Sequence, residues 1–140
     1  MLRNGVPGAP VVGVLGRKIA YWFTTGSMAA LSLFAAFSYL SGDPKAVAGF
    51  AQLGYPQQLR IILGIAKFLG AITLIVPGLP KLKEWAYAGF TFAWISAFIA
   101  HYLAKDGPKE FMPLMLLAFL FVSYVTRPTS RRLRPEAAVA

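Results

Sequence analysis

The stretch Lys81-Leu82-Lys83-Glu84-Trp85-Ala86-Tyr87-Ala88-Gly89-Phe90 decides the fold. It places Lys81, Lys83 and Glu84 together and then runs directly into an apolar segment. On either side lie two hydrophobic runs, Leu59–Pro77 and Trp85–Ala104. Each is close to the roughly 20 residues that an α-helix needs to cross a hydrocarbon core of about 30 Å. A charged turn between two such runs reads as a membrane-spanning helical hairpin.

Working outward, two more apolar runs complete a set of four, with spans expected at about 19–40, 59–76, 85–104 and 110–126. The 140-residue chain is 57% hydrophobic and 14% charged, with mean hydropathy +0.60. Soluble domains carry about 25% charged residues, so four spans account for the composition better than one water-soluble core. The fold class expected is all-α, an integral membrane four-helix bundle occupying residues 19–126 as one domain. Residues 1–18, rich in Gly and Pro, read as a flexible arm, and 127–140 as a basic, disordered tail. The run after Arg17-Lys18 extends to Leu40, longer than the 7–15 residue apolar core of a signal peptide, so it reads as a span.

Turn residues set the boundaries. Ser41-Gly42-Asp43-Pro44 ends the first span, and the long connection to Gln58 leaves room for a short interfacial helix near 47–53. Pro77-Gly78 and Pro80 close the second span, making 78–84 a tight turn. Lys105-Asp106-Gly107-Pro108 ends the third, and Arg127-Pro128 the fourth.

The net charge is +9, from 14 Lys and Arg against 5 Asp and Glu. Most basic residues sit at the ends of apolar runs, the arrangement of topogenic and anionic-lipid contacts rather than of a nucleic-acid surface. Arg3, Arg17, Lys18, Lys81, Lys83, Arg127, Arg131, Arg132 and Arg134 fall on one side, and Lys45, Arg60, Lys105 and Lys109 on the other. The imbalance predicts both termini in the cytoplasm. The chain has no cysteine and one histidine, which excludes disulfides, thiolate metal sites and a haem held by two of its own histidines. No metal-ligand cluster is expected, and Gly13-Val14-Leu15-Gly16 is not a dinucleotide fingerprint.

Two groups stand out as candidate catalytic residues. Lys67 is the single charge in the middle of a span, where a charge costs roughly 2.5–3.5 kcal/mol on insertion scales. It reads either as a snorkelling or paired side chain or as a contact for a ligand or proton. His101, roughly 24 Å along the third span from Trp85, is expected near the depth reached by the Lys67 ammonium. The two are therefore expected to line one polar pocket, unless His101 simply bonds a backbone carbonyl. Trp94 falls near mid-bilayer and reads as bundle filler or as a ligand contact. Gly64, Lys67 and Ala71 on the second span, and Gly89, Ala93 and Ala97 on the third, form small-residue rows that permit close helix approach. Gly64, Gly89 and Ala93 thus join Lys67, Trp94 and His101 as the expected ligand-binding set. Glu84 and Arg60 read as structural polar residues at span boundaries, Glu84 favoured by the helix dipole.

Three segments, Leu53-Gly54-Tyr55-Pro56, Leu63-Gly64-Ile65-Ala66-Lys67-Phe68-Leu69-Gly70 and Lys83-Glu84-Trp85-Ala86-Tyr87-Ala88-Gly89-Phe90, resemble the DoxX-like family of small four-helix membrane proteins. The likeness extends through Pro77 and Ala97-Phe98-Ile99-Ala100-His101, over roughly residues 20–126. It implies a multi-pass protein of the bacterial cytoplasmic (inner) membrane. The family name comes from a subunit of a thiosulfate:quinone oxidoreductase, so the resemblance also implies quinone-linked membrane redox chemistry. This chain has Ala93 where family members often carry an acid.

Three readings follow. One is a quinone-linked component holding a lipophilic ligand between the second and third spans, with a soluble redox partner. Another is a non-catalytic scaffold for a soluble protein. The last is a membrane isomerase or hydrolase using Lys67 and His101 as acid and base. The small-residue rows permit a homodimer.

Overall fold

A computed structural model of the chain describes residues 11–135. They form five α-helices: α1 (Val11–Ser41), α2 (Pro44–Gln52), α3 (Gln57–Ile75), α4 (Pro80–Leu103) and α5 (Phe111–Thr126). Short 3-10 turns at Gly107–Glu110 and Thr129–Arg131 flank α5. Four segments are long and apolar enough to cross a membrane: Gly13–Ser41, Gln57–Ile75, Pro80–Leu103 and Gly107–Thr126. Helix α2 is the short amphipathic piece of the long connection. It starts with Pro44 behind the N-cap Asp43, whose side chain accepts from the Lys45 N–H at 2.9 Å.

The four long helices alternate in direction. Helix α1 packs on α3 and α5, and α4 on the other flanks of the same two helices. One end of the bundle gathers the start of α1, the end of α3, the start of α4 and the end of α5. Arg17 Nη2 donates to the Val125 carbonyl at 2.9 Å, and Arg131 donates to those of Leu74 and Ile75, each at 2.9 Å. Lys83 Nζ donates to the carbonyls of Thr73, at 2.6 Å, and Val76. These are the unpaired C=O groups that every helix leaves in its last turn, and cations there also oppose the dipole. At the far end, Arg60 does the same for the Tyr39 carbonyl of α1.

The bundle is apolar outside and partly polar inside. Phe34, Phe37, Phe92 and Phe121 point outward, whereas Thr24, Thr25, Ser32 and Ser123 are buried. In lipid this is the expected sense, because hydrocarbon replaces water around the outer face and hydroxyls pair between helices. Thr25 Oγ1 and Ser123 Oγ lie 2.6 Å apart, and the Tyr87 hydroxyl is 2.7 Å from Ser123 Oγ, linking α1, α4 and α5. Around them pack Met28, Leu74, Phe90, Trp94 and Leu120.

Several expectations are corrected. Helix α1 begins at Val11, so the flexible arm expected over 1–18 is helical from 11 to 18; residues 1–10 lie outside the described residues. Helix α4 begins at Pro80, not Trp85, because Gly78 (φ +76°) and Leu79 (φ +54°) reverse the chain before the proline sets the first helical φ. Lys81, Lys83 and Glu84 are therefore helical. The tail expected to be disordered is tied to the bundle through Arg127, Arg131 and Arg132; its last part, 136–140, lies outside the described residues. Gly64 does not face α4: a Cβ there would meet Leu40 and Tyr39 of α1 at 3.0–3.1 Å. Gly70 is the residue that seats α4, its missing Cβ lying 2.9 Å from the Phe90 ring.

That ring is buried and stacked on Trp94 with centroids 4.9 Å apart, so it has little room to yield. We expect Gly70→Ala to destabilise the protein by about 1–3 kcal/mol in detergent unfolding. Gly89→Ala, with nothing within 4 Å of the added methyl, should be neutral or stabilise by up to about 1 kcal/mol. Equal effects would show that Phe90 adapts freely.

Candidate ligand groove between α3 and α4

Where α3 and α4 separate, a groove of about 340 Å³ runs along their outer face, lined by Lys67, Gly70, Thr73, Trp85, Gly89 and Ala93 among others. Its wall on α4 follows from sequence spacing. Trp85, Gly89 and Ala93 recur every four residues and so share one face, and the two small residues leave the hollow beside the indole. On α3, the side-chain position of Gly70 is taken by the Phe90 ring, which lines the groove with it. Thr73 Oγ1 donates to the Leu69 carbonyl within its own helix at 2.8 Å. Lys67 is the one ionisable residue in this lining.

Lys67 Nζ lies 5.9 Å from the centroid of the Tyr39 ring, near the limit for a cation–π contact. It takes part in none of the ion pairs among the described residues. The groove thus has a lysine in its lining, a large aromatic ring and an apolar floor. That combination holds and orients a lipophilic molecule bearing an acceptor oxygen.

The sequence-predicted residues divide among four places. Lys67, Gly89 and Ala93 meet in the groove. Trp94 does not line it; its ring is buried against Phe90, and Trp85 is the groove's tryptophan. The row 85-89-93 carried that signal, since the spacing that selects Gly89 and Ala93 also selects Trp85. Gly64 lies under α1. His101 is engaged elsewhere: Nδ1 lies 2.7 Å from Asp106 Oδ2, while Asp106 Oδ1 accepts from Gln52 Nε2 at 3.1 Å and lies 3.5 Å from Lys109 Nζ. Lys105, at φ +54°, turns the chain so that the Asp106 N–H bonds the His101 carbonyl at 3.1 Å, bringing the carboxylate back over the ring. The cluster pins the end of α4 to α2. Lys67 and His101 therefore do not share the groove, and no acid–base pair is formed from them there.

The two polar residues at span boundaries are engaged within the protein. Arg60 Nε donates to Gln57 Oε1 at 2.8 Å besides holding the Tyr39 carbonyl. Glu84 Oε1 lies 2.7 Å from Arg127 Nη1, and the Tyr124 hydroxyl donates to Glu84 Oε2 at 3.1 Å. Tyr87 is buried in the hydroxyl network. Among the described residues there is no group of three His, Cys, Asp or Glu side chains able to hold a metal ion.

Fold and groove together point to a multi-pass α-helical membrane protein with a cleft on the outer face of the bundle. The model of the DoxX-like family matches residues 23–123, and the chain belongs to that family. No curated protein and no solved structure matches it.

The His101 hydrogen bond, aided by the Lys109 ammonium, holds the Asp106 carboxyl below its usual range. A depressed carboxyl stabilises the fold above its unfolded pKa of about 3.9, and that contribution disappears as pH falls through the lower folded value. Detergent unfolding followed from about pH 5 to about pH 2 should therefore show an acid-side loss of stability. The loss should be shallower in Asp106→Asn; identical profiles would remove Asp106 from the acid response.

Proposed function

We propose that this DoxX-like protein binds a lipophilic ring of the quinone class in the groove between α3 and α4, as the membrane component of an electron-transfer step. The observation that carries this reading is Lys67, an ammonium with no described carboxylate partner, beside an apolar groove containing Trp85. An ammonium donating to a ring carbonyl makes a charge-assisted hydrogen bond, strong where water is scarce. Trp85 and Gly89 leave space for a flat ring beside it. In this reading the chain positions the quinone, and a soluble redox partner delivers the electrons. A scaffold that recruits its partner through a free basic tail is less well supported, because Arg127, Arg131 and Arg132 bond backbone carbonyls of this chain.

The test is a titration of the full chain in lipid nanodiscs with a short-chain ubiquinone, followed by tryptophan fluorescence. Lys67→Met should weaken binding at least about ten-fold while leaving thermal unfolding near the wild-type value. Trp85→Phe should remove much of the quenching. Unchanged affinity in Lys67→Met overturns the reading.

We further propose that both chain termini face the cytoplasm of a bacterial inner membrane. The end of the bundle that gathers Arg17, Lys83, Arg127 and Arg131 is the more basic one, as the positive-inside rule requires. Since the chain has no cysteine, single variants report cleanly. In intact cells a membrane-impermeant maleimide should label Lys105→Cys, and Lys81→Cys only after permeabilisation. The reverse pattern would invert the orientation.

A further inference from the structure

We propose that the basic end of the bundle binds the phosphate of an anionic phospholipid whose acyl chain lies in a second groove, between α4 and α5. The site is separate from the Lys67 groove and does not depend on its ligand. Two cavities meet there. One, of about 560 Å³, is lined by Arg17, Arg127, Arg132 and Glu84 among others. The other, of about 480 Å³, runs along α4 and α5 past Ala88, Thr91, Leu117 and Phe121. Glu84 and Tyr124 line both, so a polar mouth continues into an apolar channel. That sequence of environments matches a phospholipid, head to tail.

Charge selects an anionic headgroup. Three guanidinium groups face one carboxylate. Glu84 is already taken by Arg127 at 2.7 Å and by the Tyr124 hydroxyl at 3.1 Å. Two positive charges therefore remain. Arg17 Nη2 and Arg132 Nη2 both reach the Val125 carbonyl, at 2.9 and 3.4 Å. Converging on one oxygen places two like charges side by side, an arrangement that an anion relieves. Among the described residues, Nη1 of each donates to no protein acceptor. Guanidinium N–H pairs suit phosphate oxygens in geometry as well as charge. Depth agrees too. Val125 lies at the end of the Gly107–Thr126 span, where a leaflet carries its phosphates, and basic pockets between helices there bind such headgroups.

The experiment uses the full chain in neutral detergent, with lipid retention read by native mass spectrometry and thermal unfolding. The probes are phosphatidylglycerol, phosphatidylcholine with the same acyl chains, and inorganic phosphate. Phosphatidylglycerol should be retained and raise Tm, and the other two should not. Arg132→Gln should weaken phosphatidylglycerol binding about five-fold; Arg17→Gln carries the same expectation should Arg132→Gln fail to fold. Ala88→Leu, which fills the apolar channel and leaves the three arginines in place, should also weaken it. Equal retention of both lipids overturns the proposal. So does a phosphate effect as large as the lipid's, or wild-type affinity in both Arg132→Gln and Ala88→Leu.

Discussion

The structure depends on what happens to the carbonyls at the ends of α3 and α5. A helix leaves its last four C=O groups without intrahelical partners, and in a membrane protein these ends approach a medium short of water. Here long cationic side chains from neighbouring elements serve them. Lys83 of α4 and Arg131 of the tail close α3, and Arg17 of α1 closes α5. Each contact also fixes the relative height of two helices, because the side chain that caps one belongs to another. The capping set therefore sets register as well as satisfying polar groups.

With the ends fixed, the interior is free to be unusual. Its centre is three hydroxyls, Thr25, Ser123 and Tyr87, surrounded by Met28, Trp94, Phe90 and Leu120. In water-soluble bundles the apolar stripe decides which face turns inward. In lipid both faces are apolar, so small residues and hydrogen-bonding side chains decide instead. Tyr87 illustrates the point. Its ring is stacked beneath the Arg127 guanidinium, 4.9 Å from the centroid, and the same guanidinium lies 4.2 Å from the Tyr124 ring. One tyrosine thus joins the capping layer to the hydroxyl core.

The number of long helices and their order were legible in the sequence, because run length and turn residues report them directly. Boundaries shifted where a conformation intervened. The Gly78-Leu79 reversal places Pro80 at the first helical position and draws the charged residues into α4. The candidate site was legible in part. Rise per residue gives depth, and by depth Lys67 and His101 belonged together. Rotation about each helix axis decides which neighbour a side chain meets, and rise does not carry it. That is how His101 came to rest on Asp106 and Trp94 in the core. Lys83 was misread for a different reason. A charge beside a turn looks topogenic, and nothing in its spacing discloses that the side chain folds back onto the end of α3.

The two lysines of the α3–α4 hairpin make the most telling comparison. Lys83 is fully buried, yet its ammonium has two carbonyl acceptors at a helix end whose dipole favours a cation. Its charge is accounted for by structure alone. Lys67 lies among apolar residues, with one aromatic face at 5.9 Å and no described acid in contact. A cation–π contact contributes about 0.5–2 kcal/mol, against roughly 2.5–3.5 kcal/mol for a charge at that depth on insertion scales. The difference is left to whatever enters the groove from the lipid side, whether water, headgroup or ligand oxygen. Lys67 is the one ionisable residue lining this groove, with no ion-pair partner among the described residues, and that is why the groove, rather than the better-connected His101 cluster, is the place to look for function.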